Sequence, residues 1–150
     1  GKKYVTVLVV LNHPLSRGTI HATSKDPLAH PAIDPEYFEN DNDLENLVQH
    51  IKYVRSMSNT EPWKSGVVRE LDPGPNCQTD EDIRTWSCFS LTAIDTIGTT
   101  SMLPLDKQGV VSPELKVYGT TNLRVVDVGI IPIHLATHTH GLSHMYLPIC

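Results

Sequence analysis

The hydrophobic pattern opens on an unbroken apolar run, "YVTVLVVL" at Tyr4–Leu11, rich in β-branched residues and ended by Asn12–His13–Pro14. That composition between turn signals predicts a buried β-strand. "SRGTIHATS" follows and alternates through Thr19, Ile20, His21, Ala22 and Thr23, which predicts a strand with one wetted face. Pro27, Pro31 and Pro35 interrupt "KDPLAHPAIDPEYF", so that segment reads as an irregular but ordered loop. The period then lengthens to about 3.6 residues. "NDNDLENLVQHIKYVRSM" starts with capping Asn and Asp residues and aligns Leu44, Leu47, Val48, Ile51, Val54 and Met57 on one helical face. Such a stripe is core, and the helix is expected to pack on a sheet built from the two strands.

Downstream the pattern is weaker. Thr79–Asp80 is a second capping signal, opening a short helix near Glu81–Trp86. Two short strands are predicted around Leu115–Tyr118 and Leu123–Val126, joined by Gly119–Thr120–Thr121–Asn122, and a last helix from about His138. The order is α+β, without regular βαβ alternation or internal repeat.

At 150 residues the chain is one domain's worth, with 39% hydrophobic and 19% charged residues, a folded composition. Its net charge is −5 and its twelve Lys and Arg are scattered, which argues against the concentrated basic face that a nucleic-acid partner needs. The longest apolar run is far too short to span a membrane and lacks the small-residue cleavage site of a signal peptide. The start at Gly1 is read as a processed or cut N-terminus. Cys77, Cys88 and Cys150 allow either one disulfide, Cys77–Cys88, or three free thiols.

Half of the eight histidines, His134, His138, His140 and His144, fall in "IPIHLATHTHGLSH". His134/His138 and His140/His144 are i, i+4 pairs that could share a helical face and take zinc, copper or nickel. There is no H-E-x-x-H glutamate, and Pro132 and Thr137–Thr139 oppose a continuous helix from His134. No metal site is assigned.

Four stretches resemble the C-terminal, substrate-binding region of glucose–methanol–choline (GMC) flavin oxidoreductases. "HPLSRGTIHATSKDPLAHPAIDPEYF" is similar to that family's P-x-S-x-G strand and D-P…P-x-I-D-P-x-Y loop. "GTTSM" at Gly98–Met102 resembles its G-T-x-S-M motif. "GVVSPELKVYGTTNLRVVDVGIIP" resembles its G-V-V-D-x-x-L-x-V-Y-G-x-x-x-L-R-V-V-D-x-S-I-x-P segment, and "ATHTHGLSHMY" its S-x-H-x-Q/N motif. The fungal aryl-alcohol-oxidase-like branch is the nearest fit, because it also has a His at the His138 position.

The resemblance implies an antiparallel sheet flanked by helices, with 1–124 forming the substrate-domain-like part and 125–150 packing on a flavin domain. It implies FAD as hydride acceptor, a small primary alcohol as substrate and an extracellular location. By position, His138 matches the second catalytic histidine of the family; Asp127 and Gly129 match residues that approach the cofactor; Thr139 and His140 lie where relatives contact the flavin, His140 in place of a Gln or Asn.

Two departures qualify this. The G-x-G-x-x-G dinucleotide fingerprint is missing, so the isolated chain is expected to bind FAD weakly or not at all and not to turn over alone. Asp95 and Thr96 stand where relatives carry the His and Pro of H-P-V-G-T. A carboxylate is a poor substitute for imidazole as a base near neutral pH. Asp95 and His138 are expected to lie together, and a carboxylate there would favour a protonated imidazole unable to accept a proton. No alcohol oxidation is therefore expected even with a flavin domain supplied, and Asp95→His is the change expected to restore activity. A covering partner, either a separate flavin-domain chain or a second copy, is expected over Val126, Val128, Ile130, Ile131 and Leu142. The alternatives from other classes are a pseudoenzyme acting as a binding protein and a histidine-cluster metal protein.

Overall fold

The computed structural model describes residues 1, 3–90 and 95–146. Contacts divide the chain into two units, Gly1–Arg17 with Glu36–Thr92 and Gly18–Pro35 with Ala93–Cys150. This division does not set residue 125 apart from what precedes it.

In the first unit the amphipathic stripe forms α1, Asp41–Met57. Asn40 caps it by accepting from the Asn42 N–H, and Asp41 and Asp43 in the first turn and Arg55 in the last complement the helix dipole. A single turn, α2, spans Trp63–Gly66, and α3 spans Asp80–Ser90. Thr79 and Asp82 cap α3 reciprocally: the Asp82 N–H donates to the Thr79 hydroxyl, and the Gln78 and Thr79 N–H groups donate to the Asp82 carboxylate.

The partner of α1 is α3 and not a sheet. Val48 and Ile51 pack with Ile83 and Cys77, and Val9, Leu47 and Trp86 close around them. Arg84–Glu45 at 2.6 Å and Lys52–Asp80 at 2.9 Å join the two helices along the rim. Arg55 forks onto Glu70 and donates to the Cys77 carbonyl.

The expected strand at Tyr4–Leu11 does not form. Tyr4, Val5, Val7, Leu8 and Val10 are exposed, and only Val9 reaches the core. β-propensity by itself does not make a strand; a neighbouring strand must supply the ladder, and the described residues provide none there. What anchors the end of this segment is Asp43. Its carboxylate is 2% exposed and accepts from the Leu15 N–H, the Ser16 N–H and the Ser16 hydroxyl at 2.6–2.8 Å.

In the second unit Thr19–His21 (β1) pairs antiparallel with Ala32–Asp34 (β2), in the register Thr19↔Asp34, Ile20↔Ile33, His21↔Ala32. β2 corrects the expectation of an irregular loop: Pro31 and Pro35 flank a three-residue strand instead of breaking it. Gly18 is required at the hairpin's mouth, since a Cβ would lie 2.4 Å from the Asp34 carbonyl oxygen. The strands expected at Leu115–Tyr118 and Leu123–Val126 reduce to the isolated bridges Val111↔Val117 and Lys116↔Arg124. The chain here turns at Gly119, φ +76°, within too few residues to sustain a ladder.

Val111, Leu115, Ile130 and Ile131 form the second core, wrapped by Ile97, Met102, Val125, Val126 and Val128 among others. Ile130 and Ile131 were expected to await a partner; they are 0% and 7% exposed and already used inside their own unit. Nothing is assigned to the Leu142 side chain, which lies outside the described set. The last helix, α4, runs His140–Tyr146. Cys77 is buried and Cys88 exposed, both free thiols; Cys150 lies outside the described residues. Together these elements give the expected α+β class, with an antiparallel pair in place of a larger sheet.

Burial pushes the Asp43 carboxyl upward, but hydrogen bonds from Leu15 and Ser16 and the Arg17 charge outweigh it and hold it below the ordinary range. Its stabilisation is therefore present above the unfolded carboxylate value and lost as pH falls through the lowered folded one. Asp43→Asn should cost about 1–3 kcal/mol at pH 7 by urea denaturation. The gap to the parent should close as the pH is taken into the acid range; a pH-independent gap would show that the charge is not what matters.

Candidate functional site

The second unit builds its candidate site on two segments held side by side. Gly98, at φ +87°, turns the chain into Thr99–Met102, and the Ser101 hydroxyl donates back to the Gly98 carbonyl at 2.6 Å. The Thr100 N–H donates to Gly129 O at 3.0 Å and the Met102 N–H to Ile130 O at 2.8 Å. Burial of Ile130 locks this register.

Opposite Thr100, Asp127 accepts from the Gly129 N–H at 2.7 Å and so caps the single 3-10 turn Val128–Ile130. A Cβ on Gly129 would lie 2.7 Å from both Asp127 Oδ1 and Thr100 Oγ1 and 2.8 Å from Thr99 Oγ1. The Thr100 hydroxyl is buried and has no hydrogen-bond partner among the described residues.

Three residues before Gly98, Asp95 adopts the left-handed region, φ +60°, which aspartate tolerates better than most side chains. In this posture one residue serves three neighbours. Its Oδ2 accepts from His138 Nδ1–H at 2.9 Å, its Oδ1 accepts from the Thr139 hydroxyl at 2.8 Å, and its backbone carbonyl lies 3.1 Å from His134 Nε2. The His138 and then the Thr139 hydrogen bond outweigh burial and hold the Asp95 carboxyl below the ordinary carboxylate range. Near neutral pH Asp95 is therefore a hydrogen-bond acceptor with no useful basicity towards an alcohol.

The predicted residues thus fall into three groups. Asp95, His138 and Thr139 meet. Asp127 and Gly129 belong to the capped turn beside Thr99 and Thr100. His140 sits on α4 against His144, with ring nitrogens 3.1 Å apart. Among the described residues no three His, Cys, Asp or Glu side chains gather as a metal would need. Sequence reasoning missed Thr99, Thr100 and the carbonyl contact of His134. The signal available for the threonines was Gly129, whose lack of a side chain implies close approach by a neighbour.

This arrangement fits one wall of a cofactor site and not a dinucleotide cradle. Asp127 is engaged by its own turn, and none of the described helices opens on a glycine-rich loop offering N–H groups to a pyrophosphate.

The sequence profile of GMC oxidoreductases matches residues 14–146. The GMC oxidoreductase family protein Mala s 12 of Malassezia sympodialis is 44% identical over 141 residues, which is 93% of this chain and 23% of that protein. A fungal aryl-alcohol oxidase shares the fold with a TM-score of 0.73 at 31% identity, over 91% of this chain and 23% of its own. An FAD-dependent oxidoreductase from Chaetomium thermophilum superposes with a TM-score of 0.79 at 31% identity, over 91% and 24%. The chain therefore spans about a quarter of the length of the proteins it resembles.

Gly129→Ala should lower stability by about 1–3 kcal/mol through overpacking against Asp127, Thr99 and Thr100. Adding Thr100→Ala, which removes a hydroxyl without a partner, should recover part of the loss in thermal denaturation. Full tolerance of Gly129→Ala would show that the close approach is not a constraint.

Proposed function

The chain belongs to the GMC oxidoreductase family, and we propose that it supplies the substrate-side, C-terminal part of an FAD-dependent alcohol oxidoreductase of the aryl-alcohol-oxidase type. The observation that carries this reading is the meeting of Asp95, His138 and Thr139 at the positions where the resemblance puts the reacting alcohol. His138 accepts the hydroxyl proton as the alcohol is oxidised. FAD, when bound, takes the hydride.

FAD would be held mainly by the flavin-binding part, with the Asp127–Gly129 turn, Thr139 and His140 of this chain available on its near side. Residues 1–124 form the substrate-domain-like part, and 125–150 face the flavin-binding segment. Asp127, His138 and His140 are exposed for that contact together with the apolar Ile133 and Leu135, while Ile130 and Ile131 are buried. The flavin-binding part is the expected partner.

The three relatives named above are fungal, which favours a secreted, fungal-type enzyme. No described helix is long and apolar enough to cross a membrane.

Two outcomes test this function. The isolated chain should show no submicromolar FAD binding by fluorescence quenching and no peroxide release from benzylic alcohols. Joined to the flavin-binding part of a GMC relative it should turn over, and His138→Ala should then lower kcat/KM by about 100- to 10,000-fold, with His144→Ala near parental. Equal activity of the His138 variant and its parent would refute the assignment.

A further inference from the structure

In the resemblance Asp95 is a loss, a carboxylate where a second imidazole belongs. The geometry points to a gain instead: we propose that Asp95 is a positioning residue that holds His138 as the Nδ1–H tautomer and leaves Nε2 as the proton acceptor. This rests on the reading of His138 as the base.

The argument begins with what a carboxylate can do. An ionised Asp accepts hydrogen bonds and donates none, so the 2.9 Å contact between Asp95 Oδ2 and His138 Nδ1 requires the proton on Nδ1. A neutral imidazole carries one N–H, so Nε2 then bears the lone pair. His138 makes no other hydrogen bond among the described residues, and its side chain is 77% exposed against 27% for Asp95. The ring is held from its sheltered side and free on the other.

The carboxylate is itself held. The Thr139 hydroxyl, on a residue 4% exposed, donates to Oδ1 at 2.8 Å. The left-handed backbone at Asp95, with its carbonyl 3.1 Å from His134 Nε2, fixes the residue from behind. A carboxylate that orients an imidazole and sets its tautomer is a general device for making a histidine base. Here it uses neighbours in sequence, His138 and Thr139, to bind the two oxygens of one carboxylate. The proton taken from the alcohol goes to Nε2, and the resulting imidazolium is stabilised by the Asp95 charge on its far side. Asp95 itself stays ionised throughout.

Under this proposal the carboxylate serves His138 instead of disabling it. Attached at Nδ1, the charge aids the proton's arrival at Nε2 instead of occupying the accepting atom.

The test is a long-range proton–nitrogen NMR measurement of the His138 ring in the 150-residue chain at about pH 8, above the ordinary imidazole range. The parent should show Nδ1–H with an unprotonated Nε2. Asp95→Ala should shift the ring towards Nε2–H, and Asp95→Glu should retain Nδ1–H. An Nε2–H ring in the parent would overturn the proposal, and that reading needs no variant to fold. So would an unchanged Nδ1–H ring in a folded Asp95→Ala.

In the chain joined to a flavin-binding part, Asp95→Ala should lower kcat by about 10- to 100-fold with little change in KM, less than the loss on removing His138. Unchanged kcat in Asp95→Ala alongside a large loss in His138→Ala would also overturn it. If no version oxidises alcohols while the parent ring is Nδ1–H and responds to Asp95, the proposed oxidation fails and the positioning role of Asp95 stands.

Discussion

Two backbone hydrogen bonds, Thr100 N–H to Gly129 O and Met102 N–H to Ile130 O, carry the candidate site. They align the Gly98–Met102 segment with the turn at Val128–Ile130, and every site residue is placed relative to one of these strips. Asp95 lies three residues upstream of the first, and His138 and Thr139 lie a short loop beyond the second. The alignment holds because Ile130 and Ile131 are buried between Val111, Leu115 and Met102. Sliding the strips would expose those side chains, at a cost of about 1.5–3 kcal/mol for each one returned to water. The site's precision is thus a by-product of apolar packing directly beneath it.

Two carboxylates in this chain are held below their ordinary range, for different ends. Asp43 is buried and accepts only from groups that close the first unit, so its charge is structural. Asp95 accepts from one sheltered hydroxyl and one open imidazole, so the same physics leaves a reactive group at the surface. What separates the two is the other end of the donor. The backbone N–H groups and the Ser16 hydroxyl that hold Asp43 are spent within the fold, whereas an imidazole held by one nitrogen presents the other.

The imidazole-rich tail is best understood through this difference. His138 is tied to a carboxylate, His134 lies between two carbonyl oxygens and His140 lies against His144. Shared residue type did not produce a shared site. The two i, i+4 pairs offered a metal site only as an alternative, and in the fold His134 and His138 go to separate neighbours.

Family, class and the main helix were legible in the linear chain, because each is carried by local order. The Leu44–Met57 stripe needs only a period to reveal α1, the Thr79–Asp80 capping signal only its residue types to reveal the start of α3, and the motifs around Gly98, Leu123 and His138 only their order. Partnership was not legible. Tyr4–Leu11 has the composition of a strand, but composition cannot supply the neighbour that a ladder requires. Ile130 and Ile131 have the composition of a surface awaiting cover, but whether an apolar side chain is already covered depends on residues twenty positions away. The same holds for Asp95. Its identity and its distance from His138 along the chain could be read directly, yet which ring nitrogen it meets is a matter of angles, and only the folded backbone decides whether a charge blocks a base or orients it.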